Sequence, residues 1–190
     1  MKIGVLALQG AFREHREVLD ALGVEAIEVR VPEELGGMDA LVLPGGESTT
    51  IGRLLTTSGL LEPLRARLAD GLPALGTCAG LILLATELLD ARPDQPVLGA
   101  IDCTVRRNAY GTQLQSFEAA LSVRGLPGGL FPGVFIRAPV VERVGPRVEV
   151  LAEHEGRAVL CREDAVFAST FHPELSGDLR IHQRFLREVS

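Results

Sequence analysis

The length, composition and charge of the chain exclude several classes of protein. Its 190 residues suffice for one domain with a full core, and 46% hydrophobic with 23% charged residues is the balance of a globular rather than a disordered chain. A formal net charge of −6, with Lys2 as the only lysine, argues against nucleic-acid binding, which normally requires a basic face. We therefore expect one globular domain over residues 1–190 that binds no nucleic acid.

The apolar stretches and the cysteines bear on the compartment of the protein. The apolar run from Ile3 to Leu8 is too short to span a membrane, and the charged residues after it do not resemble a signal-peptide cleavage region. The three cysteines (Cys78, Cys103 and Cys161) are widely spaced and odd in number, which favours neither a disulfide framework nor a metal site. We expect a cytoplasmic protein with reduced thiols, no membrane partner and no metal or other cofactor.

The first half of the chain alternates predicted strands and helices. The continuous apolar run over Ile3 to Leu8 is typical of a strand covered on both faces. After the Gln9-Gly10 turn comes a helix with apolar positions at i, i+3, i+4 and i+7. Further strands are predicted at Glu25–Val29, Ala40–Leu43 and Pro73–Thr77, with helices that start at an N-cap near Ser48, cover Leu61 to Leu68, and follow Cys78. This alternation predicts an α/β fold with a mostly parallel sheet and right-handed crossovers.

After about Arg92 the pattern changes to short strands about ten residues apart, separated by turn signals. The predicted strands are Ile101–Val105, Phe117–Val123, Gly133–Ile136, Val140–Val144, Val148–Glu153, Arg157–Cys161 and the buried Ala165–Ser169. We expect them to add antiparallel hairpins to the sheet, before a C-terminal helix that begins near Asp178. Within this framework we interpret Cys103 and Cys161 as packing residues, and His15, His154 and His182 as helix-face or surface residues.

The stretch Gly76-Thr77-Cys78-Ala79-Gly80 lies between a predicted strand and a predicted helix. It is a G-x-C-x-G pattern, the thiol counterpart of the nucleophile elbow of serine hydrolases, in which small neighbours leave room for a tight turn. A cysteine at the start of a helix faces the positive end of the helix dipole, which favours the reactive thiolate. The alternative is a buried structural cysteine, because free cysteine packs like a small apolar residue.

A second stretch, Phe171-His172-Pro173-Glu174, follows the last predicted strand. Proline disfavours helical backbone at His172, and in an extended segment His172 and Glu174 project to the same side. If this strand lies beside the one that ends at Cys78, the three side chains meet at the carboxyl edge of the sheet, where α/β folds bind ligands. They would then form a nucleophile, a base and an orienting group. The alternative is an exposed turn with a solvated histidine.

The third stretch is Leu43–Thr49, with the sequence LPGGEST. Two glycines at the end of a strand can present backbone N–H groups to a ligand. Attack of cysteine on an amide creates an oxyanion, which two such donors stabilise, and we assign the donors to Gly46 and Ala79. The alternatives are an ordinary strand-to-helix turn and a phosphate-binding loop. The latter lacks a G-x-x-x-x-G-K-S/T sequence and would place Glu47 against an anion.

Six motifs together resemble the class I glutamine amidotransferases, and among them the glutaminase subunits of the ribose-5-phosphate-dependent pyridoxal phosphate synthases. The motifs are LALQGA (Leu6–Ala11), LPGGEST (Leu43–Thr49), GTCAGLI (Gly76–Ile82), RNAYG (Arg107–Gly111), GVFIRAP (Gly133–Pro139) and FHPEL (Phe171–Leu175). They extend over nearly the whole chain, in order. GTCAG and FHPE indicate the superfamily, whereas LALQGA, LPGGEST and GVFIRAP indicate the subunit. The resemblance implies a three-layer α/β sandwich with a mixed sheet.

The resemblance also implies roles for matching residues. Cys78 would attack the side-chain amide of L-glutamine, His172 would transfer protons and activate water, and Glu174 would orient His172. The implied substrate-site residues are Gly46, Glu47, Ser48, Ala79, Arg107, Ile136 and Arg137. Judged from the residues alone, we favour a surface charge or a structural salt bridge for Arg107 and Arg137. Arg106 leaves a one-residue ambiguity, which we resolve in favour of Arg107. Thr112 departs from the family pattern, which often has arginine there.

The implied partner is a separate synthase subunit, which combines the ammonia with ribose 5-phosphate and glyceraldehyde 3-phosphate to form pyridoxal 5'-phosphate. We expect weak hydrolysis until that subunit docks near Gln9-Gly10 and Gly46. The nearest alternative is a glutaminase of another pathway, such as imidazole glycerol phosphate synthesis. A cysteine hydrolase on a related sheet usually has its histidine soon after the elbow, whereas the segment from Ala79 to Arg107 contains none. A non-enzymatic scaffold subunit would be expected to lack a member of the triad.

Overall fold

A computed structural model describes residues 1–107 and 116–189. The strands are β1 (Lys2–Leu6), β2 (Glu25–Val29), β3 (Ala40–Leu43), β4 (Ala74–Thr77), β5 (Ala85–Leu88), β6 (Ile101–Arg106), β7 (Ser116–Leu121), β8 (Phe131–Ile136), β9 (Val140–Val144), β10 (Glu149–His154), β11 (Arg157–Glu163) and β12 (Val166–Ser169). The helices are α1 (Phe12–Ala21), α2 (Ser48–Thr57), α3 (Leu61–Ala69), α4 (Ala79–Leu84) and α5 (Arg180–Glu188), with 3₁₀ helices at Pro32–Leu35 and Pro173–Leu175. No helix of the described residues is long and apolar enough to cross a membrane.

The main sheet has seven strands in the order β10-β11-β12-β4-β3-β1-β2. The pairs from β12 through β4, β3 and β1 to β2 are parallel, and β10 and β11 add an antiparallel edge next to β12. The predicted α/β class with a mostly parallel, mixed sheet is therefore confirmed. Because β4 lies between β3 and β12, the segments that follow these three strands meet at one edge of the sheet.

Side chains of the central strands alternate between two cores, one on each face of the main sheet. In β3, Leu41 and Leu43 pack with α2, α3 and α4, whereas Ala40 and Val42 pack on the side of α1 and α5. This period of two is what a strand buried on both faces requires. The arrangement is the expected three-layer sandwich, and it leaves the ends of the strands as the accessible part of the sheet.

The expectation that the later strands extend the main sheet is only partly right. β10 and β11 do so, but β5, β6 and β9 form a separate three-stranded sheet, and β7 pairs with β8 in a two-stranded one. Strand β5 was not predicted at all. The apolar run after Cys78 is buried throughout, so its hydrophobic pattern cannot mark the point where α4 ends and β5 begins.

The start of α2 differs from the prediction by one residue. Glu47, not Ser48, is the N-cap, and its carboxylate accepts hydrogen bonds from the backbone N–H groups of Thr49 at 3.1 Å and Thr50 at 2.6 Å. Ser48 is the first residue of the helix. Aspartate, asparagine, serine and threonine are the usual caps, and here the longer glutamate reaches the same two donors. The cap therefore fixes a residue that was predicted to contact the substrate.

Candidate active site

Cys78 occupies a strained turn between β4 and α4. Its backbone has φ 51° and ψ −100°, a conformation that costs about 1–3 kcal/mol for a residue other than glycine. The Cys78 N–H donates to the carbonyl of Ser169 at 2.8 Å, which ties the turn to β12. A Cβ at Gly80 would overlap the Leu43 carbonyl, and one at Gly76 would lie 2.8 Å from the Gly80 carbonyl carbon. The two glycines of the G-x-C-x-G pattern are thus required by close backbone packing.

His172 and Glu174 form a buried pair at the end of β12. Nδ1 of His172 donates to Oε1 of Glu174 at 2.7 Å, and each residue is 7% exposed. The backbone N–H of His172 donates to the Val134 carbonyl at 2.8 Å, which fixes the extended segment against β8. The side chains of His172 and Cys78 both pack around Gly45, where a new Cβ would overlap His172 Cε1 and lie 3.4 Å from Cys78 Cβ. With Nδ1 engaged by Glu174, Nε2 is the ring nitrogen available to the sulfur.

The charges of this pair differ from those of isolated side chains. Burial alone would lower the pKa of His172, but the adjacent Cys78 sulfur and the hydrogen-bonded Glu174 carboxylate outweigh burial and raise that pKa to about 10. Burial alone would raise the pKa of Glu174, but His15 and His172 outweigh it and lower that pKa. The pair is therefore an imidazolium and a carboxylate at neutral pH. A protonated imidazole beside a sulfur can stabilise a thiolate nucleophile.

A cavity of about 310 Å³ opens beside Cys78 and His172. Its lining consists of Gly10, Ala11, Glu14, Gly45, Gly46, Glu47, Ser48, Cys78, Ile82, Arg107, Ile136, Arg137, His172 and Leu175. Two predicted site residues do not line it. Ala79 is buried in the first turn of α4, and Glu174 is buried next to His172. The structure thus brings the remaining predicted site residues together around one cleft.

Arg107 reaches the cavity from the end of β6. Its guanidinium donates to Gln95 Oε1 at 2.7 Å and Thr49 Oγ1 at 2.8 Å, and lies 3.4 Å from Glu47 Oε1. These contacts hold a positive charge at the N-terminal end of α2. The neighbouring Arg106 pairs with Glu142 instead and does not line the cavity, which supports the choice between the two arginines.

Ile136 and Arg137 approach from the end of β8. The Ile136 carbonyl oxygen lies 4.0 Å from Cys78 Sγ. Arg137 is exposed and has a left-handed backbone, with φ 46°. Such a conformation is uncommon for a residue with a side chain. The turn places Arg137 on the cavity directly after the residue that approaches the sulfur.

The Gln9-Gly10 turn is packed against the loop that follows β3. Gln9 Oε1 accepts from the Glu47 N–H at 2.9 Å, and a Cβ at Gly46 would lie 2.6 Å from that same oxygen. A Cβ at Gly10 would overlap the carbonyl oxygen of Gly45, which accepts from the Ala11 N–H at 2.9 Å. The position of the Gly46 loop therefore depends on this turn. The assignment of the Gly46 and Ala79 N–H groups as oxyanion donors stays a prediction.

Sequence reasoning missed Glu14 and Gly45. Glu14 lies in the first turn of α1 and lines the cavity, and it could have been found from its position after β1, at the same edge of the sheet as the other site residues. Gly45 packs against the His172 ring, where a Cβ would overlap Cε1 and lie 2.9 Å from Nδ1. Nothing in the local sequence indicates that contact, since it joins two distant segments.

Two further predictions concern features around the site. Within residues 1–107 and 116–189, no group of three or more His, Cys, Asp or Glu side chains is placed to hold a metal ion. Thr112 and the part of the RNAYG motif after Arg107 lie outside the described residues.

Comparison with known proteins matches residues 5–190 to the SNO glutamine amidotransferase family. The pyridoxal 5'-phosphate synthase subunit PdxT of Rhodococcus jostii is 56% identical, over 97% of this chain and 95% of that protein. The subunit of the same name from Mycobacteroides abscessus is 57% identical, over 98% of this chain and 96% of that protein. A crystal structure of a glutamine amidotransferase superposes with a TM-score of 0.93 at 53% identity and covers 98% of both chains.

Proposed function

The chain belongs to the SNO glutamine amidotransferase family, and on that premise we propose that it hydrolyses L-glutamine to L-glutamate and ammonia as the glutaminase subunit of a pyridoxal 5'-phosphate synthase. One observation carries the proposal. A cysteine on a strained strand-to-helix turn lies beside His172, which is itself held by a buried carboxylate, at the edge of an open cavity.

The chemistry follows from the protonation state of these groups. The Cys78 sulfur attacks the side-chain amide carbon of glutamine, and the His172 imidazolium gives its proton to the leaving ammonia. The resulting glutamyl thioester is hydrolysed when neutral His172 takes a proton from water and the hydroxide adds to the thioester carbon. Collapse of that adduct releases glutamate, breaks the bond to the Cys78 sulfur and leaves His172 protonated. Throughout, Glu174 holds Nδ1, so that Nε2 is presented to the reacting atoms.

The cavity suits a small amino acid. Its volume of about 310 Å³ lies at the lower end of the range for ligand pockets. Arg107 and Arg137 supply the positive charge for the α-carboxylate, which a guanidinium binds well in bidentate geometry. Gly46, Glu47, Ser48 and Ile136 complete the wall around the side-chain amide. We assign the oxyanion to the N–H groups of Gly46 and Ala79.

The ammonia would pass to a docked synthase subunit rather than to water. The Gln9-Gly10 turn positions the Gly46 loop, so a partner that contacts this turn can order the oxyanion donors. The relatives named above are subunits of pyridoxal 5'-phosphate synthases, which favours that pathway over imidazole glycerol phosphate synthesis. A reducing cytoplasm would keep Cys78, Cys103 and Cys161 free, as the structure has them.

Glutamate release from L-glutamine, measured with and without the synthase subunit, tests the proposal. We expect turnover to rise strongly when the synthase is added. Cys78→Ala should abolish turnover while the circular dichroism spectrum and the melting temperature stay close to those of the unsubstituted chain. Retained turnover in Cys78→Ala, or no glutamate release from the complex, would contradict the proposed function.

A further inference from the structure

A second group of buried polar side chains lies behind the triad. His15 of α1 and His182 of α5 are both 0% exposed, and Thr77 of β4 is buried next to Cys78. His182 does lie on a helix face, as interpreted from the sequence. It is not a surface residue, because α5 packs this face against the sheet. Buried polar side chains cost free energy unless they are hydrogen-bonded, so this cluster needs a physical account.

The cluster joins three distant segments to the catalytic carboxylate. Nδ1 of His15 lies 3.0 Å from Nε2 of His182, and Nε2 of His15 lies 3.1 Å from Thr77 Oγ1. The same Nε2 lies 3.4 Å from Oε2 of Glu174. The other oxygen of Glu174, Oε1, is the one bound to His172. His15 therefore faces the side of Glu174 that the triad does not use.

The contacts select one tautomer of His15. The Thr77 hydroxyl can accept from Nε2 or donate to it, whereas a carboxylate oxygen carries only lone pairs, so we assign the hydrogen to Nε2 of His15, since the opposite tautomer would place a lone pair against an anion. Nδ1 of His15 is then an acceptor, and Nε2 of His182 must donate to it. Oε2 of Glu174 is buried without a hydrogen-bond partner within the described part of the chain, and Nε2 of His15 lies 3.4 Å from it. The His15 N–H thus bonds Thr77 and lies beside an unsatisfied buried oxygen of Glu174.

Both histidines of the cluster are neutral. Burial lowers the pKa of His15, although the charges of Glu174 and Glu14 oppose that change and the charge of His172 adds to it. Burial, together with His15, lowers the pKa of His182 to about 3. A neutral donor can orient Glu174 without neutralising its charge. The full negative charge of the carboxylate stays available to the His172 imidazolium.

Thr77 connects the same cluster to the wall of the cavity. Its Oγ1 accepts from the Gly45 N–H at 3.1 Å, and Gly45 is the residue that packs on the His172 ring. His15 therefore contacts both structures that fix His172, namely the Glu174 carboxylate and, through Thr77, the Gly45 loop.

We propose that His15, as the neutral Nε2–H tautomer, is a positioning residue that holds Glu174 in the orientation from which it presents His172 to Cys78. The proposal rests on the proposed glutaminase function for its catalytic consequence. The geometry that it asserts is independent of turnover. His182 supports it by fixing the tautomer of His15.

The tautomer is measured on the unsubstituted chain, in complex with the synthase and alone, from the nitrogen chemical shifts of the His15 ring. We expect a protonated Nε2 and an unprotonated Nδ1 that do not change between pH 6 and 8. A protonated Nδ1, or a ring that titrates in this range, would overturn the proposal. This measurement needs no variant and no turnover.

The role is tested with His15→Leu and His15→Gln, because the glutamine amide can place a donor near the position of Nε2 and leucine cannot. In the complex, we expect His15→Leu to lower kcat by about tenfold or more with KM changed less than about twofold, and to lower the pKa of His172 as followed by its ring resonances. His15→Gln should restore most of kcat and most of the raised pKa of His172. Val18→Ala, a buried substitution on the same helix, controls for loosened packing of α1 and should change neither.

The outcomes separate this proposal from the proposed function. If the unsubstituted complex released no glutamate, the function would fail, while the His15 tautomer and the His172 pKa would still decide the positioning role. If His15→Leu and His15→Gln lowered kcat equally and left the pKa of His172 unchanged, His15 would be merely structural. If His15→Leu does not fold, His15→Gln and the tautomer decide.

Discussion

The catalytic groups and the two arginines of the cavity come from different sheets. Cys78 and His172 follow parallel strands of the main sheet and are held by close backbone contacts in a buried layer, whereas Arg107 follows β6 and Arg137 follows β8, which belong to the two small sheets. Arg107 is held by side-chain hydrogen bonds, and Arg137 is exposed. Under the proposed function, the main sheet would supply the catalytic groups, and the added sheets would supply the charge that recognises the substrate.

If this division is right, one methyl group added at the end of a main-sheet strand should lower turnover more than the loss of a charge from the small sheets. Gly45→Ala places a methyl group into the His172 ring, which must move away from Cys78 or Glu174. We expect kcat for glutamine hydrolysis to fall by more than about 100-fold, in line with the sensitivity of catalysis to misplacements of about 1 Å. The measurement is steady-state glutamate release with the synthase present.

Gly36→Ala is a matched control for this substitution. Its backbone is not left-handed, and the nearest atom to a new Cβ is the Glu33 carbonyl oxygen at 3.8 Å. We expect turnover and melting temperature close to those of the unsubstituted chain. Full activity in Gly45→Ala would show that the wall against His172 can yield, and that the ends of the main strands are less rigid than we infer.

The second prediction concerns the charge of the buried pair. The pKa of His172 is about 10 in the folded chain, against an ordinary value of 6.5 that we take for the unfolded chain. Between about pH 6.5 and 10 the folded chain therefore binds one proton more than the unfolded chain. The stabilisation is therefore complete below about pH 6.5, and it is lost as the pH rises towards 10, by at most about 1.4 kcal/mol per pH unit. The free energy of unfolding, measured by urea denaturation across this range, should fall accordingly.

Glu174→Gln removes the carboxylate from that pair and keeps its shape. We expect the pKa of His172 to fall and the decrease in stability between pH 6.5 and 10 to become shallower, because the imidazolium loses its anionic partner. Nuclear magnetic resonance titration of the His172 ring measures the first quantity directly. An unchanged pKa would mean that Glu174 does not control the charge of His172.

The smallest predicted effect lies on the side of the added sheets. Arg107→Met should raise KM for glutamine by about tenfold, which corresponds to the lower end of 1.5–3 kcal/mol for a hydrogen bond to a charged group. We expect kcat to change less, because the triad is held by other elements. Arg106→Met removes the same charge one residue earlier and should leave both constants nearly unchanged, since Arg106 pairs with Glu142. Equal effects of the two substitutions would indicate a general loss of positive charge.

Local pattern was sufficient where an element is defined by its own residues. Glu25–Val29, Ala40–Leu43 and Val140–Val144 have the predicted bounds, because apolar runs bounded by turn residues define strands. The boundary between α4 and β5 was missed because every residue of α4 is buried. The Glu47 cap was missed because Glu47 comes one residue before Ser48, and serine is the more usual capping residue. The assignment of the later strands to three sheets depends on which strands pair, and turn spacing does not specify pairing.

The sequence by itself determined the α/β class, the thiol elbow and the histidine–glutamate pair, because each depends on residues that are neighbours in the chain. Only the tertiary structure decided that Gly45 supports the His172 ring and that His15 meets Glu174 and His182 in the interior. The physical reason is that these contacts join segments from different strands and helices. Their distances and burial are set by how the layers pack, and no single segment carries that information.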